Sequence, residues 1–432
     1  MSFAKEPLTI VLCLDHAFVS GGQAKVAFDS AIGLKEAGHR PIVFAAAGPV
    51  DEALTKAGVE VVCLGQSDLL ANPSRMAAAV QGTWNRPAAD ALGRLLGSLP
   101  ADRTIVHVHG WAKALSPSIA MPIARSGLPA VYTIHEYFLF CPNGGFYNYQ
   151  RDHTCPLEPL SAACWATHCD SRNYPRKLWR NARLMLARDV AHLPDVFADY
   201  IAISRFQIDV VGKRLPAESR LHLVSNPIDV PELGPKPSPA GGEVIFVGRI
   251  SAEKGPLLFA EAARRAGMIP TYVGDGPAAA DLRARYPEAR LLGWQSGAAV
   301  REAIRAARAL VFPSLWYEGQ PLTVLEAKGL GTPVIVADGC AGREEIDDGA
   351  SGLWFKGGDA DDLARALVQI EDDALVARLS RGAYASFWSD PPTRTRHIER
   401  ITAVYGSMLM RRPLIAAKEG SLTRQVTEEV VT

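Results

Sequence analysis

The chain has 432 residues, 48% hydrophobic and 21% charged, with 46 basic residues balanced by 46 acidic ones. That length exceeds what one hydrophobic core serves and predicts two domains of roughly 200 residues each. The charge balance excludes a polyanion-coating protein, so no nucleic-acid partner is expected, and the composition excludes a disordered chain.

The apolar run Leu8–Leu14 is short and is followed at once by Asp15 and His16. Without a small-residue cleavage site it reads as a buried strand and not as a leader. No stretch approaches the length of a membrane-spanning helix, which leaves only peripheral membrane contact open. Seven cysteines, an odd number, argue against a secreted disulfide scaffold. A cytoplasmic chain is expected.

After that first strand the turn Val19–Gln23 carries Gly21 and Gly22, which let a ligand approach the backbone at the start of the helix Gly22–Ala37. The same glycines also suit any tight turn. Strand candidates follow at Pro41–Ala46, Val59–Leu64, Thr104–His109 and Ala130–Ile134, alternating with helical patterns, which predicts a parallel α/β sheet. Ligands of such sheets bind beyond the carboxyl ends of the strands, where His109 and His135 fall, each read either as a cleft residue or as a hydrogen-bonded structural imidazole. Glu136 pairs with His135 or orients an acceptor.

Between Tyr137 and Asn173 the alternation stops, and Cys141, Cys155, Cys164 and Cys169 appear. A long irregular loop in a compact domain is usually functional. Only Cys164 and Cys169 have the close spacing of a zinc site, so a structural zinc on the four stands beside unligated thiols or a disulfide. The stretch Arg172–Arg188 is a basic helix with Leu178, Trp179, Leu184 and Leu186 interleaved: either a face for anionic lipid or a solvated face of a core helix. Strands at Tyr200–Ser204 and Leu221–Ser225 precede a stretch rich in proline and glycine, which marks a linker over 229–242.

The alternation restarts at Val244–Val247 and recurs at Pro270–Val273, Ala289–Leu292, Ala309–Phe312, Pro333–Val336 and Gly352–Phe355. A second doubly wound sheet is expected over 243–391, followed by a helix over 392–411 that packs back toward the first domain (1–228) and a polar tail over 412–432. In this half Arg249 and Lys254 lie between a strand and a helix, two cations suited to a departing diphosphate or to an ordinary surface. Gly274 and Gly276 close the next strand. The segment Val311–Glu326 runs strand, turn, helix, with Pro321 at the first helical position. The amides of Gly319, Gln320, Leu322 and Thr323 then crowd a helix N-terminus as an anion site. Glu318 and Glu326 flank it, one placed for a sugar hydroxyl and one for a ribose, or as a loop acid and a helix salt-bridge residue.

Taken together, Gly248-Arg249 with Lys254, the run Gly274–Pro277, and Glu318 and Glu326 with seven residues between them resemble the signature set of the family-4 retaining glycosyltransferases with the GT-B fold. The resemblance covers residues 8 to about 405. It implies two Rossmann-like domains facing a cleft, and a nucleoside-diphosphate sugar as donor. It further implies that Arg249 and Lys254 bind the diphosphate, that Glu318 faces the sugar and that Glu326 binds the ribose. The Gly21–Gly22 loop would border the phosphates, and His135 would lie near the transferred sugar. Lys328 stands where the family commonly has an apolar residue. The implied activity is metal-independent transfer, with retention, to a carbohydrate or lipid-linked acceptor. No cofactor beyond the donor is required. An epimerase or phosphorylase on the same fold and a non-catalytic nucleotide-sugar-binding subunit are the alternatives.

Overall fold

The computed structural model describes residues 6–428, and side chains as far as Arg411. In the first half, strands β1 (Thr9–His16), β2 (Arg40–Ala47), β3 (Glu60–Gln66), β4 (Thr104–Val108) and β5 (Ala130–Thr133) come first. A two-residue hairpin, β6 (Tyr147–Asn148) and β7 (His153–Thr154), stands apart, and β8 (Asp199–Ala202) and β9 (Arg220–Leu223) complete the sheet. Its order is β3-β2-β1-β4-β5-β8-β9, parallel throughout. Every residue of β1 is buried, as a central parallel strand covered on both faces requires.

The second sheet runs β12-β11-β10-β13-β14-β15, again parallel. Its strands are β10 (Val244–Val247), β11 (Thr271–Val273), β12 (Arg290–Leu291), β13 (Ala309–Phe312), β14 (Val334–Ala337) and β15 (Gly352–Phe355). Residues 224–243 between the sheets form no helix or strand. Each sheet reverses its strand order beside its first strand, so the crevices open beyond β1/β4 and β10/β13. This is the two-domain α/β arrangement of the GT-B fold.

Six helices position the cleft and its surroundings: α1 (Gly22–Glu36), α2 (Arg75–Thr83), α3 (Tyr174–Met185), α4 (Pro256–Arg265), α5 (Leu322–Gly329) and α6 (Arg394–Glu428). The final helix continues past 411, through most of the segment expected as a tail; residues 429–432 lie outside the described residues. Ile398, Ile401, Val404, Tyr405 and Met408 of α6 enter the core beside α1. Polar ties reinforce this return: His397 bonds Ser30 (2.9 Å) and the Ser225 carbonyl (2.8 Å), and His107 meets the Tyr405 hydroxyl at 2.6 Å.

Gly33 permits the close approach of α1 and α6, because a Cβ there would lie 2.6 Å from Ile398 Cγ1. Gly33→Ala is expected to lower stability by about 1–3 kcal/mol in urea titrations. Burial holds the His397 pKa down to about 4, from an ordinary 6.5. The unfolded chain therefore takes up a proton below pH 6.5 that the folded chain refuses. Stability from this group is complete above pH 6.5 and falls toward pH 4, by up to about 1.4 kcal/mol per pH unit. Urea titrations across that window should show a shallower fall for His397→Gln.

Candidate functional site

From β13 the chain passes Pro313 and Ser314 into the turn that carries Glu318. Glu318 has φ 58°, a left-handed conformation unusual for a residue with a side chain. Such a conformation costs on the order of 1–3 kcal/mol and persists where its surroundings fix it. Here the Glu318 carboxylate accepts from Lys254 Nζ and Ser314 Oγ, both at 2.6 Å, and its carbonyl accepts from Tyr137 Oη at 2.6 Å. Helix α5 starts at Leu322 with Pro321 as its cap, one residue later than expected. The amides of Leu322 and Thr323 belong to its first turn and have no partner within the helix.

Lys254 ends a short turn before α4, and its ammonium lies over the Trp316 ring, 5.3 Å from the centroid. Arg249 is exposed, and no carboxylate pairs with it among the described residues. Gly274 packs against the backbone of Gly248, where a side chain would collide with the Gly248 carbonyl. Gly276 meets Ile250 in the same way. Both glycines therefore shape the loop that presents Arg249.

On the facing half, His135 Nε2 and His109 Nδ1 are 3.0 Å apart, so one nitrogen donates to the other. Burial lowers the pKa of both, that of His135 to about 3, and both rings are neutral near pH 7. Glu136 accepts from Lys113 Nζ at 2.6 Å. Gln23 donates to the His109 carbonyl.

A cavity of about 330 Å³ lies between the halves. Of the residues singled out from the sequence, Gly22, His135, Glu136, Arg249, Lys254, Glu318, Gly319, Gln320, Leu322 and Thr323 line it. Gly21, which caps α1, does not, nor do Gly274, Gly276 and Glu326. Burial raises the Glu326 pKa, partly offset by Lys25 and Arg301. Gln320 also has a structural task, since its side chain accepts from the Asn226 amide and donates to Glu345. Sequence reasoning missed Tyr137, Ser314, Trp316 and Asn226; Tyr137 and Ser314 carried one signal, a polar group just past a strand end.

Among the described residues no three His, Cys, Asp or Glu side chains are placed to hold a metal ion, and Cys141, Cys155, Cys164 and Cys169 are free thiols. Buried Lys177 instead donates to Cys164 Sγ at 3.1 Å. In the basic helix Lys177, Arg183 and Leu184 face inward, and Arg183 lies over the rings of Trp111, Phe138 and Trp179.

The family described as Glycosyltransferase Family 4 matches residues 20–232, and that described as Glycosyl transferases group 1 matches residues 241–373. The chain is 35% identical over 154 residues to UDP-Gal:alpha-D-GlcNAc-diphosphoundecaprenol alpha-1,3-galactosyltransferase of Escherichia coli, a match spanning 32% of this chain and only 38% of that relative. It is 29% identical to D-inositol 3-phosphate glycosyltransferase of Frankia alni, across 70% of this chain and 75% of that one. The crystal structure of Anabaena Alr3699/HepE in complex with UDP and glucose superposes with a TM-score of 0.64 at 15% identity, covering 93% of this chain and all of that one. With both halves matched and the fold shared, the chain belongs to the family-4 glycosyltransferases of the GT-B fold.

Proposed function

We propose that the protein transfers a glycosyl group from a nucleoside-diphosphate sugar to an acceptor hydroxyl, with retention at the anomeric carbon. The observation that carries this reading is the convergence of Arg249, Lys254, Glu318 and the first amides of α5 on one cavity. Fixed positive charge and helix N–H groups stabilise a departing diphosphate where other transferases use a divalent ion. As the bond from the anomeric carbon to the phosphate oxygen breaks, the acceptor oxygen bonds to the same face of that carbon. Its proton passes to the leaving phosphate. Neutral His135 offers a hydrogen bond beside the sugar without adding charge.

A carbohydrate or lipid-linked acceptor fits the names of the relatives, and cell-surface polysaccharide or glycolipid assembly is the role that follows. Action at the cytoplasmic membrane face, by peripheral contact, belongs to the same reading. No helix among the described residues is long and apolar enough to cross a membrane.

Lys254→Ala and Glu318→Gln are each expected to lower kcat by about 100- to 1,000-fold, the scale for removing one electrostatic contact to a developing charge. Nucleoside diphosphate release by the purified, folded variants measures it, and near-normal rates would contradict the assignment. Arg249→Ala should reduce the thermal shift produced by a nucleoside diphosphate. An unchanged shift would remove Arg249 from the donor site.

A further inference from the structure

Two groups that the cleft does not use meet where the cysteine loop packs on α3. Lys177 is 1% exposed, and no carboxylate pairs with it among the described residues. Its side-chain nitrogen donates to Cys164 Sγ at 3.1 Å and to Asn181 Oδ1 at 2.9 Å. A buried charge is costly unless it is paired and hydrogen-bonded, and here a sulfur takes the usual place of a carboxylate oxygen. Both partners stand on helices with fixed starts. Cys164 belongs to the one-turn helix Ala162–Ala166, where Ser161 Oγ accepts from its amide at 3.2 Å. Lys177 and Asn181 share one face of α3, which Asn173 caps.

Three more thiols surround the pair, since Cys169 lies within electrostatic range of Lys177, Cys141, Cys155 and Cys164. Burial pushes the Cys141 thiol up and the Cys169 thiol up to about 11, which keeps both protonated and poorly nucleophilic near pH 7. Cys164 is the thiol that meets the lysine. Its helix lies at the surface, with Ala162, Ala163 and Ala166 exposed, so a small uncharged oxidant reaches the sulfur through one layer of side chains.

We propose that Cys164 and Lys177 form a site of oxidative cross-linking, joined under hydrogen peroxide by a sulfur–oxygen–nitrogen bridge. The sulfur attacks a peroxide oxygen, the O–O bond breaks, and a sulfenic acid and water result. A second peroxide converts the lysine nitrogen to a hydroxylamine in the same way and leaves a second water. The hydroxylamine oxygen then attacks the sulfur, the S–OH bond breaks, and a third water departs. Four electrons thus pass from sulfur and nitrogen to two peroxides. The bridge fastens the loop to α3 one turn before Arg180, which already donates to the Asn143 side chain. Asn143 precedes Gly144 in the cavity wall and Gly145 against the Trp316 ring, so the link tightens one wall of the cleft. None of this depends on the glycosyl-transfer reading.

The test is peptide mass mapping of the full-length protein after hydrogen peroxide, with and without later dithiothreitol. A cross-link between the peptides of Cys164 and Lys177 is expected, heavier by one oxygen and lighter by two hydrogens than their sum. Dithiothreitol should abolish it. Cys164→Ser and Lys177→Arg should each lose it, with circular dichroism confirming the fold; where a variant does not fold, the wild-type map alone decides. Disulfides of Cys164 with Cys141, Cys155 or Cys169 in its place, a Cys164 oxidised without a link to Lys177, or an unreacted Cys164 would overturn the proposal.

Discussion

The ion pair between Lys254 and Glu318 is the constraint on which the cleft depends. Its side chains are 24% and 8% exposed, so both charges have lost most of their water. Such a pair is weak as a source of net stability, but removing either partner leaves the other charge uncompensated. It ties the loop after β10 to the turn after β13 and sets the strained backbone at Glu318 between them. In the proposed reaction a diphosphate arriving at α5 brings further negative charge, and Arg249, without a carboxylate partner among the described residues, is a cation placed to answer it.

The pair also faces the other half of the molecule. Tyr137 reaches across to the Glu318 carbonyl, Gly22 approaches Leu322, and Gly145 fits against the Trp316 ring. The irregular segment after His135 therefore has a positional role. It supplies the groups that hold the Glu318 turn from the opposite half, which gives a physical reason for a long loop at that place.

Much of the fold was legible because parallel strands buried on both faces leave continuous apolar runs, as in Ile10–Leu14 and Val334–Ala337. The cavity positions of Lys254, Glu318 and His135 were legible because each follows a strand end. Gly274 and Gly276 lie against backbone and not along the cavity wall, because a glycine signals close approach without naming what approaches. Arg183 looked like surface charge, since spacing alone does not show that three aromatic rings close over a guanidinium. The thiols of 141–169 were ambiguous for the same reason: spacing along the chain does not fix distance in an irregular loop.

The C-terminal helix shows how the two ends of the chain meet at the cleft. Tyr405 bonds His107, whose other nitrogen meets Thr133 at 2.6 Å, and the His107 ring lies 4.0 Å from that of His109. His109 in turn bonds His135, which lines the cavity. Burial keeps these rings uncharged, and a neutral imidazole must choose which nitrogen holds its proton. His107 meets His109 by ring contact, so α6 bears on His135 through the packing of the His109 ring that bonds it. A helix that follows the second domain in sequence thereby helps to set a hydrogen-bonding group of the first.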